Sequence, residues 1–247
     1  MARATAKAGA KVGATTPGDV LRSVAFYVLF YGGSIALVAV AVAVLTLAPS
    51  RFRGYANGWA AYHRLCVRYL LGVGVHISGA LPDGPVLVAC KHESFFEAID
   101  MPNLVVNPAV FAKAELMRIP LWGRAAAAYG LISVAREQGA KTLRTMVAAA
   151  RKLSAEGRPL VIFPEGTRVP HGERAPLQAG FAGLYKMLGL PVVPIAVRSG
   201  TIYHRRWKRL GTIAILIGDP IPAGLPRDEI EARVLTAINA LNSGESA

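Results

Sequence analysis

The stretch "PVLVACKHESFFEAID", residues 85–100, changes character twice. A short apolar run gives way to a polar turn around His92, and the turn to a segment with a helix-start pattern at Ser94-Phe95-Phe96-Glu97. Strand, loop and helix in that order are the repeating unit of an α/β fold, and the loop that leaves the strand is where such folds carry chemistry. The same alternation recurs outward from this stretch. The β-rich runs "VHISG", "AVFAKA", "LISVA", "PLVIF", "PVVPIAV" and "TIAILIG" are separated by helical segments that include residues 142–153, 179–188 and 227–241. In the last of these, Ile230, Val234, Ile238 and Leu241 return at helical spacing behind Asp228. The pattern predicts an α/β fold with a mixed, largely parallel sheet flanked by helices.

Upstream the chain is different. Residues 1–22 are small, polar and basic, which suits a flexible tail. From Ser23 to Ser50 no charged residue occurs, a run long enough to cross a hydrocarbon core of about 30 Å. It is too long for a cleaved signal peptide and predicts a hydrophobic helical membrane anchor. Arg3, Lys7, Lys11 and Arg22 precede it, and Arg51, Arg53, Arg64 and Arg68 follow, so the flanks set no orientation. Gly32-Gly33 offer a bend, and Trp59, Leu65, Tyr69 and Leu70 suit an interfacial helix. One spanning helix and a hairpin held in one leaflet both fit, with the symmetric basic flanks favouring the hairpin. The expected organisation is a tail over 1–22, attachment helices over 23–72 and an α/β domain over 73–247.

The whole chain of 247 residues carries a formal charge of +13, which points to an anionic partner: a membrane surface, a phosphorylated substrate or nucleic acid. No nucleic-acid recognition motif is present. The two cysteines, Cys66 and Cys90, each stand alone in apolar surroundings, against a disulfide framework or a thiolate metal site. His63, His76, His171 and His204 have ordinary explanations as helix, strand and loop residues, and no HExxH pattern occurs, so no metal is expected. The absence of GxSxG argues against a serine hydrolase. "YHRRWKRL", residues 203–210, reads as a solvated basic loop, with a membrane-facing or CoA-facing role as the lesser alternative because its arginines are interleaved with aromatics.

His92, in the turn after a buried strand, is held where a neutral imidazole can remove a proton from a hydroxyl. It needs a carboxylate on its second nitrogen. Glu93 is adjacent and points elsewhere, and Asp100 lies further along the helix, before "MP" where that helix is expected to end. Glu97 is five residues on, about 140° away on a continuous helix, so the pair requires a bend between them. Ser94 and Glu97 also form the pattern of a capping box, and spacing alone does not choose between cap and partner. In "FPEGTR", residues 163–168, the glycine lets a backbone N–H approach a ligand, Arg168 presents planar paired donors suited to a phosphate, and Glu165 orients that arginine or binds a hydroxyl.

These elements in this order resemble the 1-acyl-glycerol-3-phosphate acyltransferase family over residues 86–222. "HESFFE" is similar to its first motif; "KAELMRIPLWGRAAAAYGLISVAR", residues 113–136, to the second; "FPEGTR" to the third; and "LPVVPIAV", residues 190–197, to the fourth. Glutamate stands at Glu97 where the family usually has aspartate, and Ala135 where an acid commonly precedes Arg136. The resemblance implies His92 as general base, partnered by Glu97, with Lys113, Glu165, Gly166, Thr167 and Arg168 binding substrate. It implies transfer of a fatty acyl group from acyl-CoA or acyl carrier protein to a lysophospholipid, forming phosphatidate, with no further cofactor. It also implies a membrane-attached protein, at a bacterial inner membrane with its site on the cytoplasmic side. Another acceptor, such as a lyso-ornithine lipid, and a non-catalytic protein that binds anionic lipids are the alternatives.

Overall fold

The computed structural model describes residues 14–134 and 140–242. Most of the expected tail, residues 1–13, lies outside them. Its remainder departs from expectation, because helix α1 (Pro17–Phe26) begins before Ser23. Thr16 and Asp19 form a reciprocal capping box, with Pro17 in the first turn, and these start signals outweigh the polar composition.

A π turn (Tyr27–Tyr31) joins α1 to α2 (Gly32–Leu47), making one helix over Pro17–Leu47. Its 31 residues are long and apolar enough to cross a membrane. The helix runs on through Gly32 and Gly33, and Gly33 serves close packing: a Cβ there would run into the Tyr62 hydroxyl. After Ala48, α3 (Pro49–Tyr69) runs back alongside. Tyr55 donates to the Leu37 carbonyl (2.8 Å), Trp59 to Ser34 Oγ (2.9 Å) and Tyr62 to the Leu29 carbonyl (2.6 Å), so the contacts descend α2 as they climb α3. The anchor is therefore an antiparallel helical hairpin. Leu21, Val28, Ile35 and Leu47 stay exposed along it, an apolar surface that suits membrane attachment.

The sheet contains β1 (Val73–Ser78), β2 (Leu87–Cys90), β3 (Ala109–Lys113), β4 (Ile132–Val134), β5 (Leu160–Ile162), β6 (Val192–Arg198) and β7 (Gly211–Ile217), ordered β1-β7-β6-β2-β5-β3-β4. Every pairing is parallel except β6 with β7. Each β-rich run named from sequence contributes one strand. The central strands β2 and β5 are short and apolar because both faces of the sheet are covered. Alternation along β2 divides its side chains, Val88 and Cys90 joining one core cluster and Leu87 and Ala89 the other.

On the first face lie α3 and α4 (Phe95–Leu104), together with Phe26 and Phe30 of the anchor. α4 continues through Pro102 instead of ending before it. On the second lie α6 (Ala140–Ala155), α7 (Gly180–Leu188) and α8 (Arg227–Ile238). The short α5 (Trp122–Tyr129) packs on α2. Val67 and Leu71 of the anchor segment share a cluster with Ile195 and Ile213 of the sheet, so hairpin and sheet are built on one core. A half-buried ion pair reinforces the junction, Arg64 reaching from α3 to the buried Asp100 in α4.

Candidate active site

Because β5, β2 and β6 are adjacent and parallel, the loops that leave their C-terminal ends meet at one sheet edge. They are the His92 loop, the "FPEGTR" loop and the Ser199-Gly200 loop, and the sheet brings them together from positions far apart in sequence.

His92 stands in the turn and Glu97 in the first turn of α4, which supplies the bend that their spacing requires. His92 Nδ1 lies 3.1 Å from Glu97 Oε1. The same oxygen accepts the backbone N–H groups of Glu93 (2.6 Å) and Ser94 (2.5 Å), while Oε2 accepts the hydroxyls of Ser94 (2.9 Å) and Ser199 (2.8 Å). Cap and histidine contact, alternatives on spacing alone, are made by one carboxylate. Every neighbour is a donor to it, so the shared proton sits on Nδ1 and leaves the Nε2 lone pair available. The imidazole packs on Phe163, ring centres 4.5 Å apart, and keeps 17% of its side-chain surface exposed while Glu97 is fully buried.

Asp100 makes no hydrogen bond to this pair: Arg64 and Asn103 hold its carboxylate. Burial pushes its carboxyl up, with those two donors opposing. Glu93 does point elsewhere. Its Oε2 accepts the backbone N–H groups of Ser199 (2.9 Å) and Gly200 (2.8 Å), and Oε1 lies 2.9 Å from His171 Nδ1, so it ties the β6 loop to the β2 loop.

Sequence reading missed Lys91. Fully buried, its ammonium donates to Glu165 Oε1 (2.6 Å), Asn239 Oδ1 (2.8 Å) and the Glu173 carbonyl (3.1 Å), using all three of its protons. Glu165 Oε2 accepts the His92 backbone N–H (3.1 Å). Burial raises the Glu165 carboxyl, and the Lys91 and His92 donors oppose that shift. Both Glu165 oxygens are thus engaged, one by the Lys91 ammonium and one by the His92 backbone N–H. Gly166 adopts φ 66°, which favours glycine, and its N–H closes the turn onto the Phe163 carbonyl (2.9 Å).

Thr167 and Arg168 are exposed at the tip of the loop, and the Arg168 guanidinium lies 4.3 Å above the Phe95 ring. Lys113, at the end of β3, lines a separate cavity of about 300 Å³ with Glu115, Leu116 and Val134. Among the described residues no hydrogen bond joins it to the His92 or Arg168 loops. Ala135 and Arg136 of the second motif lie outside the described residues. Cys90, beneath the site, is raised by burial and by Glu97, Glu165 and Glu93, which keeps it a thiol. Among the described residues no cluster suits a metal ion.

A sequence profile described as Acyltransferase matches residues 72–198. The chain belongs to the acyltransferase family. The profile begins earlier and ends earlier than the resemblance over residues 86–222. Among similar proteins, 1-acyl-sn-glycerol-3-phosphate acyltransferase of Pseudomonas aeruginosa is 27% identical over 211 residues, covering 83% of this chain and 82% of that one. The protein of that name from Helicobacter pylori is 30% identical over 165 residues, covering 65% and 69%. The crystal structure of the 1-acyl-sn-glycerophosphate acyltransferase PlsC from Thermotoga maritima superposes with a TM-score of 0.69 over 93% of this chain and 98% of that one, at 21% identity. That likeness shows the fold.

Proposed function

We propose that this acyltransferase moves a fatty acyl group from the thioester of acyl-CoA or acyl carrier protein to the free hydroxyl of 1-acyl-glycerol-3-phosphate, forming phosphatidate. The observation that carries the reading is the His92–Glu97 pair, with Nε2 open at the sheet edge beside an exposed arginine. Nε2 accepts the hydroxyl proton as the oxygen attacks the thioester carbonyl; Glu97 holds the ring and stabilises the imidazolium formed. The carbon–sulfur bond breaks, and the imidazolium returns its proton to the departing thiolate. No acyl-enzyme is needed when both substrates are held in line.

Arg168 is the acceptor's phosphate ligand: planar, always charged and backed by Phe95. Thr167 adds a hydroxyl at the same loop tip. Glu165 and Gly166 act one step back, shaping the loop and fixing His92, and Lys113 serves at the periphery. Relatives named for this substrate over most of the chain support the choice of acceptor. The active site faces the cytoplasm of a bacterial inner membrane, where acyl thioesters are made.

Arg168→Ala tests the phosphate assignment. A charged hydrogen-bonded contact is worth about 1.5–3 kcal/mol, so the KM for lysophosphatidate should rise about 10- to 150-fold. Acylation of a monoacylglycerol, which lacks the phosphate, should change little. Equal KM values for lysophosphatidate in both proteins would refute the assignment, and a preference of the wild type for a phosphate-free lyso-ornithine lipid would change the acceptor.

A further inference from the structure

The loop read from sequence as solvated and basic, residues 203–210, is neither free nor wholly solvated. Tyr27 of the anchor donates to the Arg206 carbonyl. Ser23 Oγ accepts the Lys208 backbone N–H (2.7 Å). The Lys208 ammonium is buried, donates to the Tyr203 carbonyl (2.9 Å) and lies 3.9 Å from the Tyr203 ring centre, with the rings of Phe26 and Tyr27 further out. Tyr203 in turn meets His63 of α3 through its hydroxyl (2.9 Å). The backbone of this loop is thus pinned to the helical hairpin, while the Arg205 side chain has no hydrogen-bond or ion-pair partner among the described residues and Arg206 lies over Trp207.

Between loop and hairpin is a pocket of about 330 Å³ lined by Tyr27, Tyr31, Phe95, His204, Arg205 and Arg206, with Lys208 and Tyr203 completing it. No acidic residue lines it. A concave surface lined by several cations and no carboxylate suits an anion, the nearest opposing charge on Arg205 being Asp19 of α1, which is already paired with Arg22. Phe95 also carries Arg168 over its ring, so this pocket and the proposed acceptor site share one aromatic partition. Burial first, and then the Arg168 charge, lower the His204 imidazole from its ordinary value.

Direct transfer holds two anionic substrates at once. The acceptor's phosphate is tied to the reacting hydroxyl by a short glycerol unit and has to bind close to His92, where Arg168 is. The other substrate reaches His92 through a long pantetheine arm, so its phosphate binds further off. We infer that the Arg205–Arg206 pocket holds the phosphate of the donor's phosphopantetheine arm. This rests on the acyltransferase reading above and goes beyond it by giving each substrate its own cationic site. Coenzyme A and acyl carrier protein both carry that phosphate.

The test uses the full chain in detergent micelles and the double variant Arg205→Ala/Arg206→Ala. Binding of free coenzyme A and of holo acyl carrier protein is measured by calorimetry with no acceptor present, followed by KM for each acyl donor and for lysophosphatidate. The expected result is at least a tenfold weaker Kd and a tenfold higher donor KM, with the lysophosphatidate KM unchanged; an effect confined to one donor identifies the source of the arm. Arg227→Ala/Arg233→Ala, which removes equal charge from α8, should change none of these. Unchanged donor binding overturns the inference, as does a rise in lysophosphatidate KM alone. Loss of binding to vesicles containing anionic lipid, with donor KM intact, overturns it in favour of a membrane headgroup. Coenzyme A binding that depends on Arg205 and Arg206 in a protein that acylates no lysophosphatidate would sustain the pocket while removing the proposed acceptor.

Discussion

Replacing His92 with alanine should lower acyl transfer about a thousandfold, within the range of roughly 10²–10⁴ that a positioned general base supplies. The geometry makes the loss specific to chemistry. Nδ1 is committed to Glu97, so Nε2 is the one ring nitrogen left to take a proton, and alanine provides no substitute. Lysophosphatidate binding should be nearly unchanged, because Arg168 and Phe95 stay in place. The fold should persist as well. His92 contributes mainly its packing on Phe163, and the capping bonds that start α4 come from Ser94 and Glu97. Turnover should therefore fall in a protein whose thermal unfolding and acceptor Kd match the wild type. Parallel losses of stability and activity would instead make His92 a structural residue.

Lys91→Met should be the most destabilising single change near the site, at about 3–5 kcal/mol, the cost of removing one partner of a buried pair. Methionine keeps the length of the side chain and loses the ammonium. Glu165 then remains buried without its charge partner, and the Asn239 amide oxygen and Glu173 carbonyl lose a donor together. Denaturant unfolding in micelles measures the change, read as a shift of midpoint at constant slope. Adding Glu165→Gln removes the uncompensated carboxylate and should restore part of the stability. It should not restore activity, because the contact from Glu165 that fixes the His92 backbone is altered as well. A Lys91→Met protein as stable as wild type would mean that this network does not hold the loops together.

The strands were legible in the sequence because each is a short apolar run between polar turns, and two covered faces leave little reason for anything else. Spacing allowed His92 and Glu97 to meet across the bend between strand and helix but left cap and partner open, and the ordered motifs of the family resemblance favoured the pair. That cap geometry would turn Glu97 back toward His92 was legible too; the Ser199 hydroxyl on the same carboxylate was not, since it comes from 102 residues away in sequence. Lys91 was invisible for a similar reason: a lysine after a strand reads as a solvated charge until its partners, 74 and 148 residues away, are placed around it. The basic loop misled in the same direction. Lys208 is buried by rings from Phe26 and Tyr27, which no local pattern around residue 208 announces. The helix start at Pro17, in contrast, was written locally in Thr16, Pro17 and Asp19 and was masked by the polar composition of its neighbours.

The most direct measurement is product analysis: purified full-length protein in micelles is given an acyl thioester labelled in its acyl chain, with and without 1-acyl-glycerol-3-phosphate. The structure and its family predict labelled phosphatidate, one thiol released for each, and formation that depends on the lysophosphatidate. Label that appears only as free fatty acid, or only in a lipid without a phosphoglycerol acceptor, would contradict the account.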